Sequence, residues 1–253
     1  MIRVLSSSLT HVGAVRSHNE DALVDRPDLG IWAVADGAGG HQAGEVAAGM
    51  IVEALCGVPP GLSAAEALAE IRTRIDTVHR ALLHEAARRG PGVAIASTAV
   101  VMCVRGTHYA CLWAGDSRAY CLRNGELFRV THDHSLVQEL VDAGVIGEHE
   151  SEGHPQANVI TRAVGAGDEE TLLLDKAMDT LEPGDRYLLC SDGLTKSVPE
   201  RDIAAELSEN RDDAARRLIE IALERQVNDN VTAIVLDVVA ESPAPDDQAI
   251  SAL

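Results

Sequence analysis

Residues 31–41 read IWAVADGAGGH, an apolar run typical of a strand that ends in a carboxylate and three glycines. Glycine allows a sharp exit from the strand and a close approach of the backbone to a ligand. A carboxylate at this position, Asp36, can bridge two cations. The alternative is a glycine-rich turn in which Asp36 only caps the following helix. The stretch alone does not separate these two interpretations.

The same arrangement recurs at two distant positions. Asp192-Gly193 follows the apolar run RYLLCS, and Asp229-Asn230 precedes VTAIVLDVV. Each dipeptide could be an ordinary turn or cap, but independent turns would not be expected to place so many acids at the ends of apolar strands. Together the three predict one site for a hard divalent cation. Ligands that are all oxygen favour magnesium or manganese over zinc.

Two further segments carry candidate site residues. Residues 15–21 read VRSHNED, and in an extended chain Arg16 and Glu20 point to one face while Asp21 points to the other. Arg16 can bind a phosphate through a forked pair of hydrogen bonds. Asp116 lies within WAGDSR (113–118), between two strand-like runs. Taken alone, the first segment is a solvated polar loop and the second a β-turn.

The composition restricts the kind of partner. A formal net charge of −19 repels nucleic acid and anionic membranes. Aromatic residues make up 2% of the chain, which leaves few rings for stacking on single-stranded nucleic acid. We therefore expect no nucleic-acid and no membrane partner, although the acidity could equally serve solubility alone.

The cysteines and the N-terminal segment favour a cytoplasmic protein. The five cysteines include no C-x-x-C pair, which argues against a zinc knuckle or a disulfide framework. The start of the chain lacks the apolar core of a signal peptide, and no apolar run is long enough to span a bilayer.

The order of elements predicts an α+β fold. Two helices, over 46–55 and after a capping box that begins at Ser63, precede a series of strands that includes a hairpin at Asn124-Gly125. Helices and strands then follow again, which indicates sheets covered by helices and excludes a doubly wound βαβ fold. We predict one domain over 1–240, with a surface excursion at 144–167 and a disordered tail at 241–253.

Seven motifs occur in the order found in one known family: RSHNED (16–21), VADGAGGH (34–41), AGDSRAY (114–120), THDHSLV (131–137), HPQANVITRAVG (154–165), CSDG (190–193) and NDNVT (228–232). Together they resemble the type 2C metal-dependent serine/threonine protein phosphatases, the PPM family, in its compact bacterial form. Each motif is weak alone, but the ordered set is specific and covers nearly the whole chain. The resemblance implies a four-layer α-β-β-α sandwich with two central antiparallel sheets.

The resemblance also implies roles for individual residues. Asp36 would bridge two Mn²⁺ or Mg²⁺ ions, and Arg16 would grip the substrate phosphate. The remaining ligands would be Asp192 and Asp229 on one ion, the Gly37 carbonyl and, through water, Glu20 on the other, and Asp116 with Asp192 on a weaker third ion. Asp21 and Asn230 would orient these ligands without binding an ion themselves. The excursion at 144–167 would be a mobile flap beside the site.

One position departs from the family pattern. Some relatives carry a histidine two residues after the bridging aspartate, where it can protonate the leaving group, and bacterial relatives usually carry methionine there. This chain has Ala38 at that position. A metal-bound water is the expected substitute, and His41 is a second choice.

The resemblance implies hydrolysis of phosphoserine and phosphothreonine in proteins by a metal-activated water, in opposition to a Ser/Thr kinase. Three alternatives stay open: a phosphatase for anti-sigma antagonist proteins, a catalytically silent scaffold and a metal nuclease. The phosphorylated proteins themselves are not specified by the sequence. We expect a monomer, since nothing in the sequence indicates an obligate assembly.

Overall fold

We describe residues 2–39, 43–151, 153–167, 172–209 and 213–241 of a computed structural model. In chain order the elements are β1 (Ile2–His11), β2 (Asp21–Arg26), β3 (Ile31–Gly39), α1 (Ala43–Cys56), α2 (Ala64–Arg89), β4 (Ile95–Ser97), β5 (Ala99–Arg105), β6 (His108–Ala114), β7 (Arg118–Arg123), β8 (Glu126–Arg129), α3 (Leu136–Asp142), α4 (Glu148–Ser151), β9 (Asp175–Thr180), β10 (Arg186–Cys190), α5 (Asp192–Ser197), α6 (Glu200–Glu209), α7 (Ala214–Glu224) and β11 (Val231–Ala240).

Two antiparallel sheets form the centre of the fold. The first has the strand order β1-β11-β10-β7-β8, and the second has the order β2-β3-β5-β6-β9, with β4 paired to β3. Because β11 lies between β1 and β10, the last strand joins the two ends of the chain in one sheet. The order of strands could not be predicted from their order in sequence.

Three apolar clusters divide the structure into four layers. One cluster packs α1 and α2 on the second sheet, and another packs α6 and α7 on the first. The third lies between the sheets and includes Trp32, Met102, Tyr187 and Ile234. The α+β class and the α-β-β-α sandwich are thus confirmed. No helix in the described ranges is both long and apolar enough to cross a membrane.

Local signals in the sequence correspond to observed element boundaries. Ser63 caps α2, where its side chain accepts from the Glu66 amide and Glu66 reaches back to the Ser63 amide. Ser135 caps α3, since its side chain accepts a hydrogen bond from the Gln138 amide. The predicted hairpin turn joins β7 to β8, and Asn124 adopts φ 54° as a type I′ turn requires.

Other elements differ from the sequence prediction. The apolar run at 171–174 predicts a strand, but residues 172–174, the part of this run that the structure describes, are irregular, and the strand in this part of the chain is β9. Leu172 and Leu174 instead pack against the helical layer of the second sheet. The apolar side chains that suggested a strand therefore serve the core without sheet pairing.

The polar strand β1 was not predicted, because its sequence LSSSLTH shows no apolar alternation. Two of its three serines, Ser6 and Ser8, donate to the two carboxylate oxygens of Asp25 in β2 at 2.7 and 2.8 Å. These hydrogen bonds between the sheets add to the apolar contacts that Ile2 and Val4 of β1 make in the cluster between the sheets.

The excursion at 144–167 contains α4 and is attached to the rest of the protein near its C-terminal end. Isolated antiparallel bridges pair Ile160 with Ser135 and Val164 with Ser97. Its mobility stays a prediction. Residues 242–253 of the expected tail lie outside the described residues.

Candidate metal and phosphate site

The β2–β3 pair supplies two carboxylates to one end of the sandwich. Asp21 begins β2 and lies opposite Asp36 in the antiparallel register. The Asp36 amide donates to Thr98 Oγ1 at 3.0 Å, and the Gly37 amide donates to the Glu20 carbonyl at 3.1 Å. The backbone around Asp36 is therefore fixed from both sides.

Asp21 connects the two sheets at the site. Its Oδ2 accepts hydrogen bonds from Ser191 Oγ and Thr232 Oγ1, both at 2.7 Å. Ser191 follows β10 and Thr232 belongs to β11, so a carboxylate of the second sheet is held by hydroxyls of the first. Burial raises the pKa of Asp21 to about 7, although the two hydroxyls oppose this rise.

Asn230 holds the loop that carries Arg16 and Glu20. Its Oδ1 accepts from the Glu20 amide at 2.8 Å, and its Nδ2 donates to the carbonyls of Val12 and His18 at 2.9 and 2.8 Å. One amide side chain thus satisfies three backbone groups of a segment that has no regular structure of its own. This contact agrees with the supporting role expected of Asn230.

Two of the predicted metal ligands, Asp229 and Asp192, form ion pairs with basic side chains of the protein. Arg16 Nη2 lies 3.0 Å from Asp229 Oδ2. Lys196 Nζ forms an ion pair with Asp192 Oδ2 one turn along α5. Burial alone would lower the pKa of Lys196, but its attraction to Asp192 outweighs this and raises it.

Asp116 is buried and under-coordinated. Only 7% of its surface is exposed, and its Oδ1 has no hydrogen-bond partner within the described part of the chain. Burial first, and then repulsion from Asp192, raise the pKa of Asp116 to about 7. A buried carboxylate oxygen without a donor is costly unless a cation or a water satisfies it.

The acids share one electrostatic environment. Burial raises the pKa of Asp36 well above its usual range, and the neighbouring charges that add to the rise are Asp21, Asp192, Asp116 and Asp229. Carboxylates gathered this way repel one another unless positive charge is supplied. Their all-oxygen donor set fits Mg²⁺ or Mn²⁺.

The acids lie near one another, but their side chains do not form a coordination shell. Among the described residues, no three His, Cys, Asp or Glu side chains converge closely enough to form a coordination shell. Two of the acids, Asp229 and Asp192, are instead paired with Arg16 and Lys196. Metal binding would therefore require Asp192 and Asp229 to exchange these partners for the ion.

A close backbone approach at the start of α1 was missed by the sequence prediction. A Cβ on Gly44 would lie 2.6 Å from the Gly37 carbonyl oxygen and 2.9 Å from Glu20 Cδ. Only glycine at position 44 lets α1 begin against the carbonyl that is predicted to bind a metal. The available signal was the small pair Ala43-Gly44, which comes soon after the three glycines in the sequence.

Four other supporting residues were not assigned a role from the sequence: Thr98, Ser191, Thr232 and Lys196. The first three orient Asp36 and Asp21, whereas Lys196 is paired with Asp192. Their residue types carry no distinctive signal in sequence. The group that would protonate the leaving group stays a prediction, because Ala38 has no titratable side chain and His41 lies outside the described residues.

Comparison with known proteins gives a consistent result. The family model described as protein phosphatase 2C matches residues 14–231. Over 229 residues the chain is 37% identical to the serine/threonine protein phosphatase PstP of Mycobacterium tuberculosis, covering 90% of this chain and 43% of that protein. The chain thus spans less than half the length of this relative.

Solved structures agree on the fold. PppA, described as a key regulatory component of the T6SS in Pseudomonas aeruginosa, matches with a TM-score of 0.86 at 42% identity, covering 93% of this chain and 98% of that one. The catalytic domain of PstP, solved in complex with two manganese ions, matches with a TM-score of 0.84 at 32% identity, covering 95% of this chain and 100% of that one.

Proposed function

Because the chain belongs to the protein phosphatase 2C family, we propose that it hydrolyses phosphoserine and phosphothreonine in proteins and so reverses Ser/Thr kinase signalling. The observation that carries the proposal is the gathering of acids from distant segments around Asp36. Its partners would be phosphorylated proteins, including a Ser/Thr kinase and the substrates of that kinase.

The oxygen donors gathered at this end of the sandwich would hold two core ions and a weaker third. Asp36 would bridge the core ions, with Asp192 and Asp229 on one of them, and the Gly37 carbonyl and, through water, Glu20 on the other. Asp116 and Asp192 would hold the third. When bound, Mn²⁺ or Mg²⁺ would supply a nucleophile from water at neutral pH and withdraw charge from the phosphoryl group.

The protein's own residues would position the substrate. Arg16 is exposed and paired with Asp229, so its guanidinium can exchange that carboxylate for a phosphate by a forked contact. Asn230 fixes the loop that carries Arg16, and Asp21 links the two sheets at the site through a hydrogen bond from Ser191. These contacts would orient the phosphate before any bond is broken.

The segment at 144–167 would be the flap beside the site. Its C-terminal part pairs with Ser97, next to Thr98, whose hydroxyl binds the Asp36 amide. A movement of the flap would therefore change the contacts close to Asp36.

Hydrolysis of a phosphothreonine peptide in Mn²⁺ tests the proposal. Asp36→Asn should reduce turnover at least about 1000-fold, because it removes the bridging charge. Asp28→Asn is the matched control, since Asp28 pairs with Arg26 on an exposed turn and should not affect turnover. Wild-type protein that binds Mn²⁺ but releases no phosphate would indicate a catalytically silent scaffold. Near-normal turnover in the Asp36 variant would refute the bridging role.

A further inference from the structure

Lys196 is one of only two lysines in this chain of 253 residues. It lies near the end of α5, one turn after Asp192, and its ammonium is paired with Asp192 Oδ2. Its side chain is 39% exposed, so it can move between this carboxylate and solvent. A cation thus already lies against a carboxylate that the proposed function assigns to metal binding.

Asp192 does not face Lys196 alone. Asp116 is within electrostatic range of both, and Asp36 also attracts the ammonium. The second acidic neighbour of Asp116 is Asp133, which is already bound by Arg118 at 2.7 Å. Lys196 is therefore a basic side chain that is paired with Asp192 and also acts on Asp116.

The unpartnered Oδ1 of buried Asp116 indicates that this pair can accept a further ligand. One ammonium leaves two carboxylates with a net charge of −1, which is enough to attract a divalent ion. However, an ammonium and a divalent ion a few ångströms apart repel each other in a partly buried site.

We propose that the ammonium of Lys196 is an internal cation that competes with the third divalent ion for Asp116 and Asp192. The ion binds this pair when the lysine side chain leaves Asp192 for solvent, and the lysine returns when the ion is released. This inference rests on the proposed function, because it assumes that Asp116 and Asp192 hold an ion. Lys196 is a positioning residue in this scheme and touches no substrate.

The competing explanation is that the Lys196–Asp192 contact is an ordinary surface ion pair within a helix. Such pairs contribute little to stability and exchange freely with water. In that case its removal would leave the affinity of every metal site unchanged.

Mn²⁺ binding to the full chain, measured by isothermal titration calorimetry, separates the two explanations. Lys196→Met removes the charge and keeps a chain of similar length, and it should strengthen the weakest of three sites about tenfold. Lys196→Arg keeps the charge and should leave that site weak. Lys176→Met is the matched control, since Lys176 is exposed on β9 and its loss changes the net charge equally.

An unchanged weakest site in Lys196→Met, with the two tight sites intact, would overturn the inference and leave the proposed function standing. If wild-type protein bound no Mn²⁺ at all, the proposed function itself would fail. A similar gain in Lys176→Met would assign the effect to net charge rather than to the position of Lys196. Circular dichroism of each variant reports whether it is folded.

A second measurement follows the lysine directly. Reductive methylation with ¹³C-formaldehyde keeps the charge and labels both lysines and the N-terminus. During a Mg²⁺ titration followed by NMR, the Lys196 signal should move at the concentration that fills the weakest site, while the Lys176 signal should not. A Lys196 signal that stays fixed while three ions bind would contradict the competition.

Discussion

The Arg16 guanidinium donates to Asp229 Oδ2 at 3.0 Å, so the predicted phosphate-binding residue is bound to a predicted metal ligand. The two residues are 213 positions apart in the chain. Their pairing neutralises part of the acidic cluster, and it means that phosphate and metal would each displace one of the partners. Arg16 is thus a counter-ion of the acidic cluster.

This pairing leads to a prediction for Arg16→Ala. Loss of a charged, forked contact should raise the KM for a phosphothreonine peptide about 10-fold to 100-fold, with a smaller change in kcat. Arg26→Ala is the control, because Arg26 pairs with Asp28 away from the acids. An unchanged KM would count against a phosphate contact by Arg16.

The buried acids predict how stability depends on pH in the metal-free protein. Burial is the main cause that raises the pKa values of Asp21 and Asp116 to about 7, whereas an unfolded aspartate titrates near 4. The folded protein therefore holds protons that the unfolded chain releases. Its stability should therefore fall as the pH rises from about 4 to 7.

Urea unfolding in EDTA at a series of pH values measures this trend. Added Mn²⁺ should oppose it, because the ions bind the deprotonated carboxylates and stabilise the folded state more at pH 8 than at pH 5. Stability in EDTA that rises over the same range would contradict the prediction. Asp21→Asn should reduce the slope, since it removes one of the titrating groups.

The two glycines of α1 provide a matched pair of substitutions. Gly44→Ala would place a methyl group 2.6 Å from the Gly37 carbonyl oxygen, which should destabilise the protein by about 1–3 kcal/mol and reduce turnover. A methyl group added at Gly49 would meet no atom of another element within 4 Å, so Gly49→Ala should stabilise by about 0.5–1 kcal/mol. Thermal unfolding and turnover of both variants test this; equal behaviour would refute the close approach.

Asn230→Ala should affect both folding and activity. It removes three hydrogen bonds to the segment before β2, and it should destabilise the protein by about 2–3 kcal/mol. It should also lower turnover, because the loop that carries Arg16 loses its support. Asn228 is exposed and serves as the control. A variant as stable and as active as the wild type would show that the loop holds its position without Asn230.

Three of the predicted ligands could be selected from the sequence because they follow a local rule. Asp36 and Asp192 each follow an apolar run, Asp229 lies just before one, and glycine or asparagine comes directly after each aspartate. Helix caps at Ser63 and Ser135 were predictable for the same reason, since a capping side chain bonds within three residues. The motifs in order then specified the family.

Other features depend on contacts between distant segments. The hydroxyls of Ser191 and Thr232 meet Asp21 only because two strands of different sheets lie together, and neither residue type indicates that partner in advance. Ser6 and Ser8 of the polar strand β1 likewise donate to Asp25, which lies in a strand of the other sheet. Such pairings are long-range and have no periodic pattern in sequence.

The sequence by itself determined which residues could bind metal and phosphate, since strand ends and glycines are local properties of the chain. Only the tertiary structure decided which charges those residues meet. Repulsion among gathered acids depends on distance, and so do the ion pairs of Asp229 with Arg16 and of Asp192 with Lys196. Distance between remote segments is fixed by the packing of the two sheets.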